Sequence, residues 1–109
     1  MIAKFMRIRG QSMSPYLNEG DFVFVSGIYF WLNRLKKGDI IILFDPRDNR
    51  KLIKRIDHIN KNEYYVLGDN RSESRDSRNF GYIEKDYIIA KMIFRIPVLN
   101  ILKSHKSRV

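Results

Sequence analysis

The chain has no cysteine. Disulfides, thiol nucleophiles and thiolate metal sites are therefore excluded, and the redox compartment is left open. Histidine is almost as scarce: the two in 109 residues, His58 and His105, stand far apart without a companion at ligand spacing. Both read as surface or tail residues, and the sequence offers no metal site. No apolar run approaches the roughly 20 residues of a membrane-spanning helix. The opening MIAKFMRIRG is too short and too interrupted by charge to be a signal peptide. The chain is thus expected not to cross a bilayer, and to be cytoplasmic or peripherally associated with a membrane. With six glycines, three prolines and no biased segment, it is expected to fold rather than stay disordered. Its length suits one domain, read as residues 1–97, followed by a basic tail over 98–109.

Charge is what the sequence has in excess. Lys and Arg number 21 against 12 acidic residues, giving +9. That balance favours anionic partners, either phospholipid headgroups or nucleic acid. The basic residues are dispersed, apart from Lys103 to Arg108. A solvated basic surface therefore outranks specific nucleic-acid binding, while peripheral contact with an anionic membrane stays open.

Short apolar, β-branched and aromatic runs recur between turn signals. KFMRIR (4–9), DFVFV (21–25), DIIILF (39–44), KLIKRI (51–56), EYYVL (63–67) and DYIIAKMIFRI (86–96) read as strands. NEG, KKGD, DPRDN, NKN and GDNRSESRDSRN separate them, each rich in residues that tolerate tight turns. The pattern predicts a mostly β domain, an antiparallel sheet that is curled or barrel-like. Residues 27–35, GIYFWLNRL, break the alternation and read as a short helix or loop over the core, or as an aromatic patch at a membrane interface.

One serine stands out, in GQSMSP (10–15), between a glycine that frees the backbone and a proline that stiffens it. A turn serine ordinarily caps a backbone group. As a nucleophile it needs a base, and without a usable histidine that base is a neutral lysine. An ordinary lysine, with a pKa of about 10.4, is neutral in only about one molecule in 2,500 at pH 7. Burial must push that pKa down, so such a lysine belongs inside an apolar strand. KLIKRI meets the requirement, since Leu52, Lys54 and Ile56 share one face in strand alternation. The alternative is that Lys54 snorkels its ammonium to water from a strand edge.

GQSMSPYLNEGDFVFV, KKGDIIILF, LIKRI and YYVLGDNRSESRDSRNFGYI, in that order, resemble the successive motif boxes of the signal peptidase I family of serine–lysine endopeptidases. The resemblance runs from about Gly10 to about Ala90. It implies that Ser12 is the nucleophile, Lys54 the general base and later general acid, and Ser74 the residue that orients the lysine. It further implies that Asp76 and Arg78 brace their loop by an ion pair, with Asp69 and Asn70 structural in the same box. Gly10 and the N–H of Ser12 would serve the oxyanion and its turn. Met13 would shape the substrate pocket, a core position being an equally fair reading. The substrate would be a protein or peptide lying extended beside the nucleophile, and no metal or organic cofactor would be needed.

The chain departs from the family pattern in several places. The first expected strand begins within a few residues of Met1, where the family carries a membrane anchor. The family's Gly-x-Pro-Gly-Asp segment after the KR strand is replaced by the direct turn IDHINKNEYY. This stripped core resembles the compact soluble relatives that mature nickel superoxide dismutase, although Arg71 after GDN follows the signal-peptidase form.

The function expected is removal of an N-terminal leader or signal peptide, with dismutase maturation as the alternative. A self-cleaving repressor would need a DNA-binding domain upstream. A basic β-barrel binding nucleic acid would use Tyr29, Phe30, Trp31, Tyr64 and Tyr65 for stacking, but leaves the coincidence of the boxes unexplained. The intact Ser12, Lys54 and Ser74 speak against a silent scaffold.

Overall fold

The structure, a computed structural model, describes residues 2–28, 34–73 and 75–106, the last four by backbone only. Tyr29, Phe30, Trp31 and Ser74 lie outside the described residues. The strands are β1 (Lys4–Arg7), β2 (Phe22–Ser26), β3 (Ile40–Phe44), β4 (Lys51–Asn60), β5 (Glu63–Leu67), β6 (Ile83–Glu84) and β7 (Ile88–Ile96). They form one antiparallel seven-stranded sheet in the order β1-β2-β7-β3-β4-β5-β6. Register shifts at Phe24/Val25, Ile42/Leu43 and Ile56/His58 bend the strands there. The sheet curls into a half-barrel, as the composition of the runs predicts.

The IIIL run of β3 shows why the sheet sits where it does. Ile40 and Ile42 point into one core with Ile8, Met13, Leu17, Val23 and Val25. Ile41 and Leu43 point into a second core with Ile56, Val66, Ile83 and Ile88. A strand covered on both faces is apolar throughout, whereas its neighbours alternate.

The described elements differ from the expected ones at their ends. β1 stops at Arg7 because Ile8 turns into the core, its backbone bonded to Asp21 and Gly20. β4 runs on to Asn60 because Ile59 and Asn60 pair with Tyr64 and Glu63. Asp57 and Asn60 are poor strand formers, so cross-strand pairing overrides local preference here. β6 has only two residues, too few for a periodic signal. The residues after Ile96 are not merely a tail: α2 (Val98–Lys106) starts on the buried Asp21, whose Oδ1 accepts from the Val98 N–H at 2.9 Å. A shorter helix, α1 (Ser77–Phe80), follows its N-cap Asp76. No helix among the described residues is long and apolar enough to cross a membrane.

Candidate active site

Strand alternation places Lys54 between Leu52 and Ile56 on β4, opposite Ile41 of β3. Only 2% of Lys54 is exposed. Its Nζ donates to Ser12 Oγ across 3.0 Å, joining residues 42 positions apart. Burial pushes the Lys54 pKa below its ordinary value. Arg75 and Arg78 add to that depression, while Asp76 and Glu73 oppose it. These charges come in opposing pairs, so desolvation decides the direction. The result is an amine poised to lose its proton beside a half-buried hydroxyl.

The loop that carries Ser12 is held from both sides. Gly10 adopts φ +80°, a region glycine enters without strain, and its N–H donates to Glu19 Oε1 at 3.1 Å. That N–H is therefore engaged, and Gly10 forms the turn that leads to Ser12. The N–H of Ser12 has no acceptor among the described residues. On the other side, the Ser12 carbonyl accepts from the Asn70 N–H at 2.9 Å, and Asn70 Nδ2 donates to the Gln11 carbonyl at 3.1 Å. Gly68 lies against the same carbonyl, close enough that any Cβ would collide with it.

Asp69 pairs with Arg55 through two hydrogen bonds of 3.0 and 2.9 Å. The Arg55 guanidinium also donates to the Gly38 carbonyl and lies over the Tyr16 ring. Asp76, fully buried, accepts from Arg78 Nε and Nη2, each at 3.0 Å, and from the N–H groups of Gly68 and Arg78. Burial alone would raise its pKa, but the Arg78 guanidinium and the two N–H donors outweigh it and hold the carboxyl below its ordinary value.

Met13 is 1% exposed and packs in the core with Ile8, Leu17 and Val23. The core reading of Met13 is thus the one its burial fits, and it is absent from the lining of the trough nearby. That trough, about 270 Å³, has a floor of Met6, Ile8, Val23, Ile42, Leu52 and Ile53. Arg7, Arg9 and Lys51 form its rim. Its two walls are strand edges, because among the described residues β1 pairs only with β2, and β5 pairs with β4 no further than Arg55.

Sequence reasoning missed three contributors. Ser77 accepts the Val66 N–H at 2.8 Å and ties the DSR turn to β5. Asp45, fully buried, accepts from Arg47 and from Arg75 Nη1 at 3.0 Å; the same Nη1 reaches Asp48 at 2.7 Å. This clamp joins the β3–β4 turn to the loop beside Lys54. DPRDN carried only a turn signal, and nothing local announces a partner thirty residues away. His58, read as a plain surface residue, bonds Asp57 and Tyr82 and stacks on Tyr65.

The family model described as signal peptidase, peptidase S26 matches residues 1–57 and 56–97. Signal peptidase IB of Staphylococcus aureus is 27% identical over 143 aligned positions, covering 81% of this chain and 74% of that protein. Signal peptidase I T of Bacillus subtilis is 26% identical over 147 positions, covering 91% and 76%. Both alignments are longer than the 109-residue chain, so these relatives carry extra residues between matched stretches. The family match itself divides at residues 56–57, within β4, just before the direct β4–β5 hairpin. With the motif boxes in order and most of the chain matched, the protein belongs to the signal peptidase, peptidase S26 family of serine peptidases.

Proposed function

We propose that this protein is an endopeptidase that removes an N-terminal leader or signal peptide from a protein substrate, with Ser12 as nucleophile and Lys54 as general base. The observation that carries this reading is the 3.0 Å approach of a buried amine to the Ser12 hydroxyl. The neutral amine takes the hydroxyl proton as Oγ attacks the scissile carbonyl, then gives it to the leaving amine. Water, deprotonated by the same amine, releases the acyl group. The unengaged N–H of Ser12 is the donor that meets the developing oxyanion. Ser74 is assigned the lysine-orienting role from its place in the GDNRSESRDSR box.

The free outer edge of residues 51–54 suits an extended substrate added as a strand, its side chains falling alternately into the apolar trough. The names of the relatives favour signal peptides as the substrate. A second surface favours working beside a membrane: Phe24 stacks on Phe94 and Phe5 meets both edge-to-face, with centroids 5.0 to 6.1 Å apart, and Phe5 and Phe94 are about half exposed. On a chain of net charge +9 this patch suits an anionic bilayer surface.

The test is cleavage of peptides spanning signal-peptide junctions and a nickel superoxide dismutase leader junction, by wild type, Ser12→Ala and Lys54→Ala. Each variant should lose about 10³-fold or more in kcat/KM. Equal cleavage by all three would reject the dyad, and the junction cut fastest separates signal-peptide removal from dismutase maturation.

A further inference from the structure

The rim of the trough is more strongly charged than an apolar peptide channel requires. Arg7, Arg9 and Lys51 all line it. Among the described residues Arg9 and Lys51 have no ion-pair partner, and the Arg7 guanidinium meets only the Phe22 ring, at 5.9 Å. Elsewhere Arg47, Arg50, Arg55, Arg75 and Arg78 each reach a carboxylate. Glu19, placed near Gly10, accepts the Gly10 N–H through Oε1 and, among the described residues, forms no ion pair with the rim.

Position strengthens the case. Lys51 precedes Lys54 by three residues on β4, and Arg9 precedes Ser12 by three on the chain leaving β1. On β4 the chain advances about 3.3 Å per residue, so the backbone of Lys51 stands roughly 10 Å from that of Lys54, and Arg9 lines the same trough from across it. A peptide strand seated over the apolar floor would bring a side chain three or four positions from its scissile bond between them.

We infer that this rim is a specificity subsite for an anionic side chain, selecting substrates with Asp or Glu three or four residues from the cut. This rests on Ser12 and Lys54 being the reacting pair, and it narrows the substrate class. A seated peptide covers the rim, which strengthens the attraction between its carboxylate and the cations relative to open water. The attraction weakens as salt shortens the Debye length to about 8 Å at physiological ionic strength.

The experiment uses one junction peptide with Glu, Gln or Lys placed three or four residues from the cut, on either side in turn. Wild type should cleave the best Glu peptide about ten-fold faster in kcat/KM than its Lys counterpart at low salt, with the ratio shrinking at 0.5 M NaCl. The Arg9→Glu/Lys51→Glu variant should reverse the order. A gain for the Lys peptide cannot come from misfolding.

The same peptides bound to Ser12→Ala, followed by fluorescence anisotropy, should show the same preference in Kd. If no peptide is cut, the proposed peptidase reading fails, while the anisotropy ratio still decides the subsite. Charge-indifferent cleavage and binding would overturn the inference and leave the dyad standing. So would a charge-reversed variant that loses only its sedimentation with phosphatidylglycerol vesicles, since the rim would then serve a lipid headgroup.

Discussion

The position that a Cβ would take on Gly68 lies 2.7 Å from the carbonyl oxygen of Ser12. No side chain fits there unless the backbone of the nucleophile loop moves. The same carbonyl takes the Asn70 N–H, so the GDN turn is the template against which Ser12 is set. Gly68→Ala should therefore lower stability by about 1–3 kcal/mol through overpacking. It should also cost more in kcat than in KM, because displacement of Ser12 misaligns the attack. Thermal unfolding and steady-state kinetics on the purified variant measure the two effects separately.

Lys54 gives a pH dependence whose sign can be worked out. Desolvation lowers its pKa in the fold, so between the folded value and the ordinary 10.5 the unfolded chain binds more protons than the native one. Stability should rise with pH across that window, and below the folded pKa the penalty of the buried charge is present in full. Lys54→Met removes the penalty and should be more stable than wild type at pH 6, the gap closing toward pH 10. Denaturant titrations at several pH values test this. In the proposed mechanism the neutral amine is the base, so kcat/KM should climb with pH through the depressed lysine pKa.

The Asp45 clamp also makes stability rise with pH, in an acidic window and through a stabilised carboxylate instead of a penalised ammonium. The Arg47 guanidinium, aided by Arg75, outweighs burial and holds the Asp45 carboxyl at about 2 instead of 3.8. The stabilisation is present above 3.8 and is lost as pH falls through about 2. Asp45→Asn should lower stability at pH 7 by about 1–3 kcal/mol, leaving two guanidinium groups without their shared carboxylate. Its acid-unfolding curve should be flatter between pH 4 and pH 2. A wild-type-like curve would show that Asp48 alone satisfies Arg75.

Ser77 presents a smaller case. Its hydroxyl accepts the Val66 N–H in a buried site, so Ser77→Ala leaves a backbone donor unsatisfied. The expected loss is about 1–3 kcal/mol. Hydrogen exchange at the Val66 amide should accelerate more than exchange in β2 or β7.

The aromatic patch predicts lipid affinity. Phe5→Ser with Phe94→Ser removes two exposed rings from the outer face of the sheet and should lower partitioning into phosphatidylglycerol vesicles about ten-fold or more, each buried ring being worth about 1.5–3 kcal/mol. Cleavage of a short soluble peptide by the same variant reports whether the fold survived.

Short-range physics accounts for what was legible. Short apolar runs between turn residues announced β2, β3, β5 and most of β4 and β7, and alternation put Lys54 on the same face as Leu52 and Ile56. It could not announce α2, whose first turn depends on Asp21, 77 residues away. Nor could it choose between core and pocket for Met13, since burial of one side chain depends on which strands curl over it.

The sequence by itself determined the β class, the family boxes, and a hydroxyl and an amine of the right chemistry on a turn and a strand, because these follow from interactions within a few residues. The tertiary structure alone decided that the two groups meet. The order β1-β2-β7-β3-β4 curls the loop after β1 over β4, and no local preference encodes that closure. The same curvature turned the Gly10 N–H toward Glu19, sent Met13 into the core, and left three cations around an open trough, because each depends on how distant strands pack rather than on its own neighbours.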